Sequence, residues 1–326
     1  MSVYLVTGAA GFIGSSLARE LLRRGERVRG IDNFETGKRE NIADMAGRLD
    51  FREVSILDYH GLLEATEGVE CIFHQAALPS VPLSVADPVR ANNININGTL
   101  NVLQAARNSR VKRVVYAASS SAYGETPTLP KREDMFPSPV SPYAVQKLTG
   151  EYYMQSFTKV YGLETVSLRY FNIFGPHQDP TSPYSGVIAK FITQMLEGEP
   201  PTIFGDGEQS RDFTYVDNAV QANILAASAP AETVVGKCFN IGTGRRISLN
   251  LVFQTLCEIL DFRGAVKYAT ARVGDVKHSL ADITRAKEAL GYLPAIDFEE
   301  GLRRTVEWYK LQSPVTSAPA RSGIMA

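Results

Sequence analysis

The chain opens on a short apolar run, Val3-Tyr4-Leu5-Val6, that passes directly into Thr7-Gly8-Ala9-Ala10-Gly11-Phe12-Ile13-Gly14. Ile13, Leu17 and Leu21 then recur every four residues, the spacing of one helix face, and Gly25 closes the run. A strand, a glycine-rich turn and a helix in immediate succession form a phosphate cradle. Backbone amides and the helix N-terminus face the anion, and the glycines let it approach. The spacing is Gly-x-x-Gly-x-x-Gly rather than the commoner Gly-x-Gly-x-x-Gly, and such turns also close purely structural βα units. The next strand supports the cradle. It runs from Val28 to Ile31 and ends in Asp32. A carboxylate about 20 residues beyond the turn takes the adenosine ribose diol and repels a 2′-phosphate, so NAD is favoured over NADP.

Phe51 to Val54 reads as a third strand, and Asp58 beyond it either reaches the adenine amine or caps the next helix. Cys71 to His74 is a fourth strand, running into Gln75-Ala76-Ala77, small enough for a dinucleotide to lie against the backbone. A helix is predicted from Asn92 to Asn108, with Asn95 and Asn97 on backbone or cofactor. The fifth strand, Arg113 to Ala118, delivers Ser119-Ser120-Ser121, where strand parity puts Ser119 and Ser121 on one face. Strands alternating with helices predict an α/β fold with a doubly wound parallel sheet and sites at its carboxyl edge.

Ser141-Pro142-Tyr143-Ala144-Val145-Gln146-Lys147 begins another helix, with Ser141 as N-cap and Pro142 at the first turn. Tyr143 and Lys147, four apart, share a face. An ammonium one turn away favours the ionised phenol, so the Tyr143 pKa is expected to fall towards neutrality, suiting a general acid or base. The same spacing also describes a surface Tyr–Lys pair.

The bulk of the chain narrows the class. Its 326 residues suffice for two domains or one large domain with a lobe. A formal net charge of −1 points to neither nucleic acid nor an anionic membrane. No apolar run approaches a membrane span and no signal peptide is evident, so a cytoplasmic protein is expected. Cys71, Cys238 and Cys257 imply no disulfide framework, and His60, His74, His177 and His278 sit at no metal-ligand spacing, so no metal is expected.

Taken together, the glycine turn, Asp32, the Ser119 cluster with Tyr123-Gly124, and Tyr143-x-x-x-Lys147 resemble the extended short-chain dehydrogenase/reductases, specifically the nucleotide-sugar epimerases. The resemblance continues through Arg169-Tyr170-Phe171-Asn172-Ile173-Phe174-Gly175-Pro176, Gly205-Asp206-Gly207, Arg211-Asp212-Phe213 and Arg272-x-Gly274-Asp275, covering residues 2 to about 310. It implies a Rossmann domain over residues 1–176, a mainly substrate-binding lobe over 177–312 and a flexible tail over 313–326. A returning strand near 237–242 interrupts the lobe. It implies NAD held also by Asn33, Ile56, Ala117 and Tyr170, and a UDP-sugar held by Asn172, Arg211, Arg272, Asp275 and Ser279. An arginine fork suits a diphosphate. Catalysis then falls to Ser119, Ser121, Tyr143 and Lys147. Tyr143 takes the proton of the sugar 4-hydroxyl, C4 gives hydride to NAD+, and the 4-keto sugar turns over and is reduced on its other face.

Sugar dehydratases and decarboxylases share that oxidation but carry acids immediately after the catalytic hydroxyl, where this chain has Ser120, Ser121 and Ala122. A non-catalytic NAD-binding regulator of the same fold would usually lack the Tyr–Lys pair. The resemblance further implies a homodimer through the Asn92–Asn108 helix and the one starting at Tyr143, with Leu100, Leu103, Leu148 and Tyr152 partly facing the partner or packing inward. In the family, the position seven beyond the Arg272 position lines the pocket beside the sugar C2 substituent. The small Ser279 there admits an N-acetyl group, pointing to UDP-GlcNAc and UDP-GalNAc ahead of UDP-glucose, UDP-galactose or a uronate. Ser279 could also cap the helix expected near Asp282.

Overall fold

In the computed structural model, residues 2–180, 186–270 and 277–312 are described; Arg272, Asp275 and the tail 313–326 lie outside them. The first strand β1, Val3–Thr7, enters helix α1, Phe12–Arg23, through the glycine turn. Strand β2 (Arg27–Asp32), β3 (Asp50–Glu53), helix α2 (Tyr59–Thr66) and β4 (Cys71–His74) come next. After the short helix α3, Val81–Ala86, come α4, Pro88–Asn92, and α5, Gly98–Asn108. Strand β5, Arg113–Ser119, helix α6, Pro142–Tyr161, and β6, Glu164–Tyr170, complete the first domain's run.

Seven strands form one parallel sheet in the order Lys237–Ile241, β6, β5, β4, β1, β2, β3. The four residues of β4 are all buried, as expected for a strand with helices over both faces. From β1 the chain steps outward through β2 to β3, then crosses back to β4 on the other side of β1. That reversal opens a crevice beyond the carboxyl ends of β1 and β4, where ligands bind in sheets of this type. Helices α2, α5 and α6 close one face around Leu62, Val102, Leu103, Met154 and Phe157. On the other face the core runs from Leu17 and Leu21 of α1 into the C-terminal half.

The expected return to the sheet is made by Lys237–Ile241, paired in parallel with β6. Helix Val216–Ser228 also packs on α1 and against β5 and β6, so the chain leaves the lobe for this layer before that strand. Short strands pair within the lobe, Thr202–Phe204 with Lys267–Ala269 and Ser210–Arg211 with Ile247–Ser248.

One expectation needs correction. The helix predicted from Asn92 starts earlier, at Pro88, and carries a π turn over Asn93–Asn97 before α5. The wider turn sets Asn95 inside, where its amide binds both polar atoms of the Leu78 backbone and Gln146 Oε1. Of the residues expected partly to face a partner, Leu103 and Leu148 pack inward, Leu100 is half-buried, and Tyr152 is exposed. Leu103 fills the layer between helices and sheet, where removal from water stabilises it most.

Candidate active site

A cleft of about 620 Å³ lies at the crevice beyond β1 and β4. Thirteen residues expected on the cofactor line it: Gly8, Gly11, Phe12, Ile13, Gly14, Asp32, Gln75, Ala76, Ala77, Ala117, Tyr143, Lys147 and Tyr170. Chain positions 8 to 170 thus meet because their strands end side by side. Gly8 has φ +69°, a left-handed conformation that side chains disfavour. A Cβ on Gly14 would stand 2.0 Å from the Gly8 carbonyl oxygen, so the turn closes only with glycine there. Helix α1 begins at Gly11 with no side-chain cap, which leaves its first amides directed at the cleft.

Asp32 sits at the end of β2, its carboxylate accepting from the amides of Ala10 at 2.9 Å and Phe34 at 2.8 Å. Burial raises its pKa, and those amides oppose the rise. Asn33 and Ile56 line an adjoining hollow with Val54, Ser55 and Leu57. An uncapped helix start, a glycine turn closed against β4 and a carboxylate at the end of β2 fit a dinucleotide.

Two cofactor candidates have structural work in the fold. Asp58 caps α2, its Oδ1 accepting from Gly61 N at 3.1 Å, and Asn95 is wholly engaged in holding the Leu78 backbone and Gln146. Conversely, Lys38, Ser80, His177, Gln178 and Asp179 also line the cleft and escaped sequence reasoning. A Lys38–Asp179 ion pair at 3.0 Å and a bond between His177 Nδ1 and Asn41 Oδ1 at 3.2 Å draw the loop after residue 176 over the opening. No motif marks that closure; the repeated polar residues of the Pro176–Pro180 stretch were its only signal.

Helix α6 starts as expected, with Ser141 Oγ accepting from Ala144 N at 3.2 Å and Pro142 in the first turn. Tyr143 and Lys147 both reach the cleft. Their electrostatics differ from the expectation. Enclosure pushes the Tyr143 phenol up to about 12, and only the Ser119 hydroxyl opposes the rise. Lys147 is pushed down to about 8 by loss of water, opposed by Glu151, and its Nζ donates to the Ala117 carbonyl at 2.9 Å. Desolvation of the enclosed phenol outweighs what a lysine turned towards the strand provides.

Ser119 and Ser121 do meet, though not by strand parity. Strand β5 ends at Ser119, and a 3₁₀ turn over Ser120–Tyr123 brings Ser121 back. Ser119 Oγ accepts from Ser121 N at 3.2 Å and Ser121 Oγ at 2.8 Å, which leaves its own proton to donate outward.

A second cavity, of about 540 Å³, is lined by Asn172, Phe174, Lys190, Arg211, Phe213 and Leu249 among others, and Gln178 and Gly186 line both cavities. Asn172 has φ +36°, and its Nδ2 lies 3.3 Å from the Asp212 carbonyl and 3.4 Å from Ser279 Oγ. The Asp212 carboxylate accepts from Thr243 N, Thr243 Oγ1, Gly244 N and Ala281 N, joining three distant segments beside the cavity. Ser279 does not cap a helix. Thr284–Leu290 begins after Asp282, whose Oδ1 takes Thr284 N at 2.9 Å.

An enclosed phenol with a hydroxyl and an ammonium beside it, in a dinucleotide cleft that opens on a second cavity, can move a proton to or from a bound alcohol. Residues 4–242 match the family described as the NAD dependent epimerase/dehydratase family. The chain is 38% identical over 314 residues to the UDP-glucose 4-epimerase of Mycolicibacterium smegmatis, covering 95% of this chain and 99% of that protein. Among solved structures, it superposes on the UDP-N-acetylglucosamine 4-epimerase from Methanobrevibacter ruminantium, in complex with UDP-N-acetylmuramic acid, with a TM-score of 0.91. Identity there is 42%, with 96% of this chain and 99% of that one covered. Likewise the UDP-glucose 4-epimerase of Thermotoga maritima, with UDP-glucose, gives a TM-score of 0.90 at 40% identity, covering 95% and 99%.

Proposed function

The chain belongs to the NAD dependent epimerase/dehydratase family, and on that premise we propose that it epimerises UDP-sugars at C4, preferring UDP-GlcNAc and UDP-GalNAc to UDP-glucose and UDP-galactose. Its cofactor is NAD, seated in the cleft between the glycine turn, Asp32 and Tyr143. When bound, NAD+ supplies a hydride acceptor for C4 and a positive charge near the phenol. Tyr143 receives the proton of the sugar 4-hydroxyl, and Ser119, held by Ser121, donates a hydrogen bond to the reacting oxygen. Lys147 sets its charge behind the phenol and stabilises the phenolate form. Asn172 and Arg211 sit on the second cavity, where they hold the diphosphate; Arg272 is assigned to the same work, and Asp275 to the substrate. The sugar pivots about its diphosphate link to present its other face, and Tyr143 returns the proton. The oxidation and the reduction balance, so the enzyme needs no external reductant.

The observation that carries the epimerase reading is geometric: Tyr143 and Lys147, one turn apart on α6, both line the dinucleotide cleft, with the Ser119 hydroxyl bonded to the phenol. A dehydratase needs an acid at the leaving hydroxyl, and Ser120, Ser121 and Ala122 supply none. The substrate preference rests on Ser279, a small side chain within 3.4 Å of Asn172 at the edge of the second cavity. A homodimer through α6 and the Pro88–Asn108 helical stretch, working in the cytoplasm, completes the reading. Val89, Val145 and Tyr152 are exposed on those helices.

The test is kcat/KM of wild type and Ser279→Tyr on all four UDP-sugars, with C4 epimers resolved by NMR. Wild type is expected to favour the N-acetyl pair, and Ser279→Tyr to lose that pair by overpacking while sparing the smaller sugars. If the variant turns over UDP-GlcNAc as well as wild type does, Ser279 is not the gate.

A further inference from the structure

Behind Tyr143 and Lys147, α6 carries a charge that the epimerase chemistry does not use. Glu151 lies one turn beyond Lys147, as Lys147 lies one turn beyond Tyr143, so the three share a helix face. Its side chain is 2% exposed and Arg169 of β6, facing it, is 5% exposed. The guanidinium donates as a fork, Nε to Oε1 at 2.9 Å and Nη2 to Oε2 at 2.7 Å. Its plane lies 4.7 Å from the Tyr123 ring, and Nη1 has no hydrogen-bond partner. An ion pair removed from water this completely is a poor way to add stability, since apolar side chains of similar volume generally serve as well. Such a pair, placed one turn from a catalytic ammonium, points to an electrostatic role.

Lys147 is itself 3% exposed. The strands against α6 present Tyr116, whose ring centre is 5.0 Å from Nζ, and Arg169, with His74 behind Tyr116. Burial keeps both neutral at ordinary pH: His74 is pushed down to about 3 and Tyr116 well up. The neighbouring helices bring Asn95, Arg90, which is paired with Glu35 at 2.6 Å, and Arg107, stacked on Tyr161 far along α6. The turn after β5 brings Tyr123, which faces Arg169. Tyr143 stands on the other side, a neutral phenol. Among the described residues, Glu151 is therefore the anion that faces Lys147.

We propose that Glu151, fixed in place by the Arg169 fork, is a positioning residue whose charge keeps Lys147 protonated at the working pH. The inference rests on the assignment of Lys147 to the catalytic centre. The arrangement runs as a relay of charge through the helix face: the guanidinium fixes the carboxylate, and the carboxylate fixes the ammonium. A carboxylate within about 4–6 Å of a cation typically moves its pKa by 1–3 units.

The test titrates Lys147 directly. The 13Cε resonance of Lys147, assigned by its loss in Lys147→Arg, is followed against pH in protein stripped of cofactor. In wild type the midpoint is expected near 8, where burial and Glu151 together place it. In Glu151→Gln it should fall by about one unit, a tenfold change in the proton concentration at half-titration. Because Glu151→Gln strands a buried guanidinium, which works against folding, Glu151→Gln/Arg169→Met removes both charges. It should shift the midpoint the same way by a smaller step, since Glu151 is the charge that raises Lys147 and loss of the guanidinium removes a like charge. In the same proteins reloaded with NAD, the alkaline limb of the kcat profile should move down with the midpoint. A pair with only a structural role would lower thermal stability and leave the midpoint in place, and that result in a folded variant overturns the proposal. Wild-type C4 epimerisation is measured alongside; its absence counts against the functional reading, whereas an active wild type with an unmoved midpoint counts against the relay alone.

Discussion

Lys147 gives an ammonium proton to the carbonyl of Ala117, 2.9 Å away, and not to Tyr143 one turn earlier on its own helix. The bond ties α6 to the end of β5, so the lysine braces the floor of the cleft as well as carrying charge. With the phenol raised to about 12 and the ammonium lowered to about 8, both groups hold their protons at pH 7.

Tyr143→Phe is expected to keep fold and cofactor while losing about 10²–10⁴-fold in kcat, the usual worth of a general acid–base group. Bound NAD is read by absorbance after denaturation, and turnover by epimer-resolved NMR. Activity close to wild type in the purified variant would refute the mechanism.

Removal of the Lys147 charge should act in a defined direction. Without the ammonium, phenolate formation costs more, so the pH optimum of Lys147→Ala rises and its NAD content after purification falls. In wild type, kcat should decline as pH rises through about 8, where Lys147 loses its proton. An optimum that stays put in Lys147→Ala removes the electrostatic argument.

Gly14→Ala places a methyl group 2.0 Å from the Gly8 carbonyl, inside a turn whose position is set by β1 and β4. The clash is with backbone, which cannot rotate away, so a loss of at least about 1–3 kcal/mol is expected. Thermal unfolding and cofactor content should fall together; an unchanged Tm with full NAD would show that the turn relaxes more easily than its packing suggests.

Assembly is tested at α6. Tyr152 is 55% exposed, on a helix whose neighbours Val145 and Val160 are also exposed. If α6 pairs with a second copy, Tyr152→Asp buries a charge in that contact and converts a dimer to a monomer by light scattering, with little change in monomer stability. A wild type already monomeric at micromolar concentration ends the dimer proposal.

Local pattern alone determined much of this protein. The glycine turn, the β4 run, the Ser141 cap with Pro142 and the strand at Lys237–Ile241 are legible because each depends on neighbours within a turn or a strand. The thirteen residues expected on the cofactor meet in one cleft because parallel strands deliver their carboxyl ends to one edge, whatever their spacing in the chain. Tertiary structure decided the rest. Asn95 reaches the Leu78 backbone and Gln146, Asp212 joins Thr243, Gly244 and Ala281, and Asp179 meets Lys38 across the cleft. The pKa of Tyr143 is the sharpest case. Its spacing from Lys147 is written in the sequence, but how much water the fold removes from the phenol, and which way the lysine turns, depend on segments far away along the chain. Desolvation is set by everything packed around a group, and no local period encodes it.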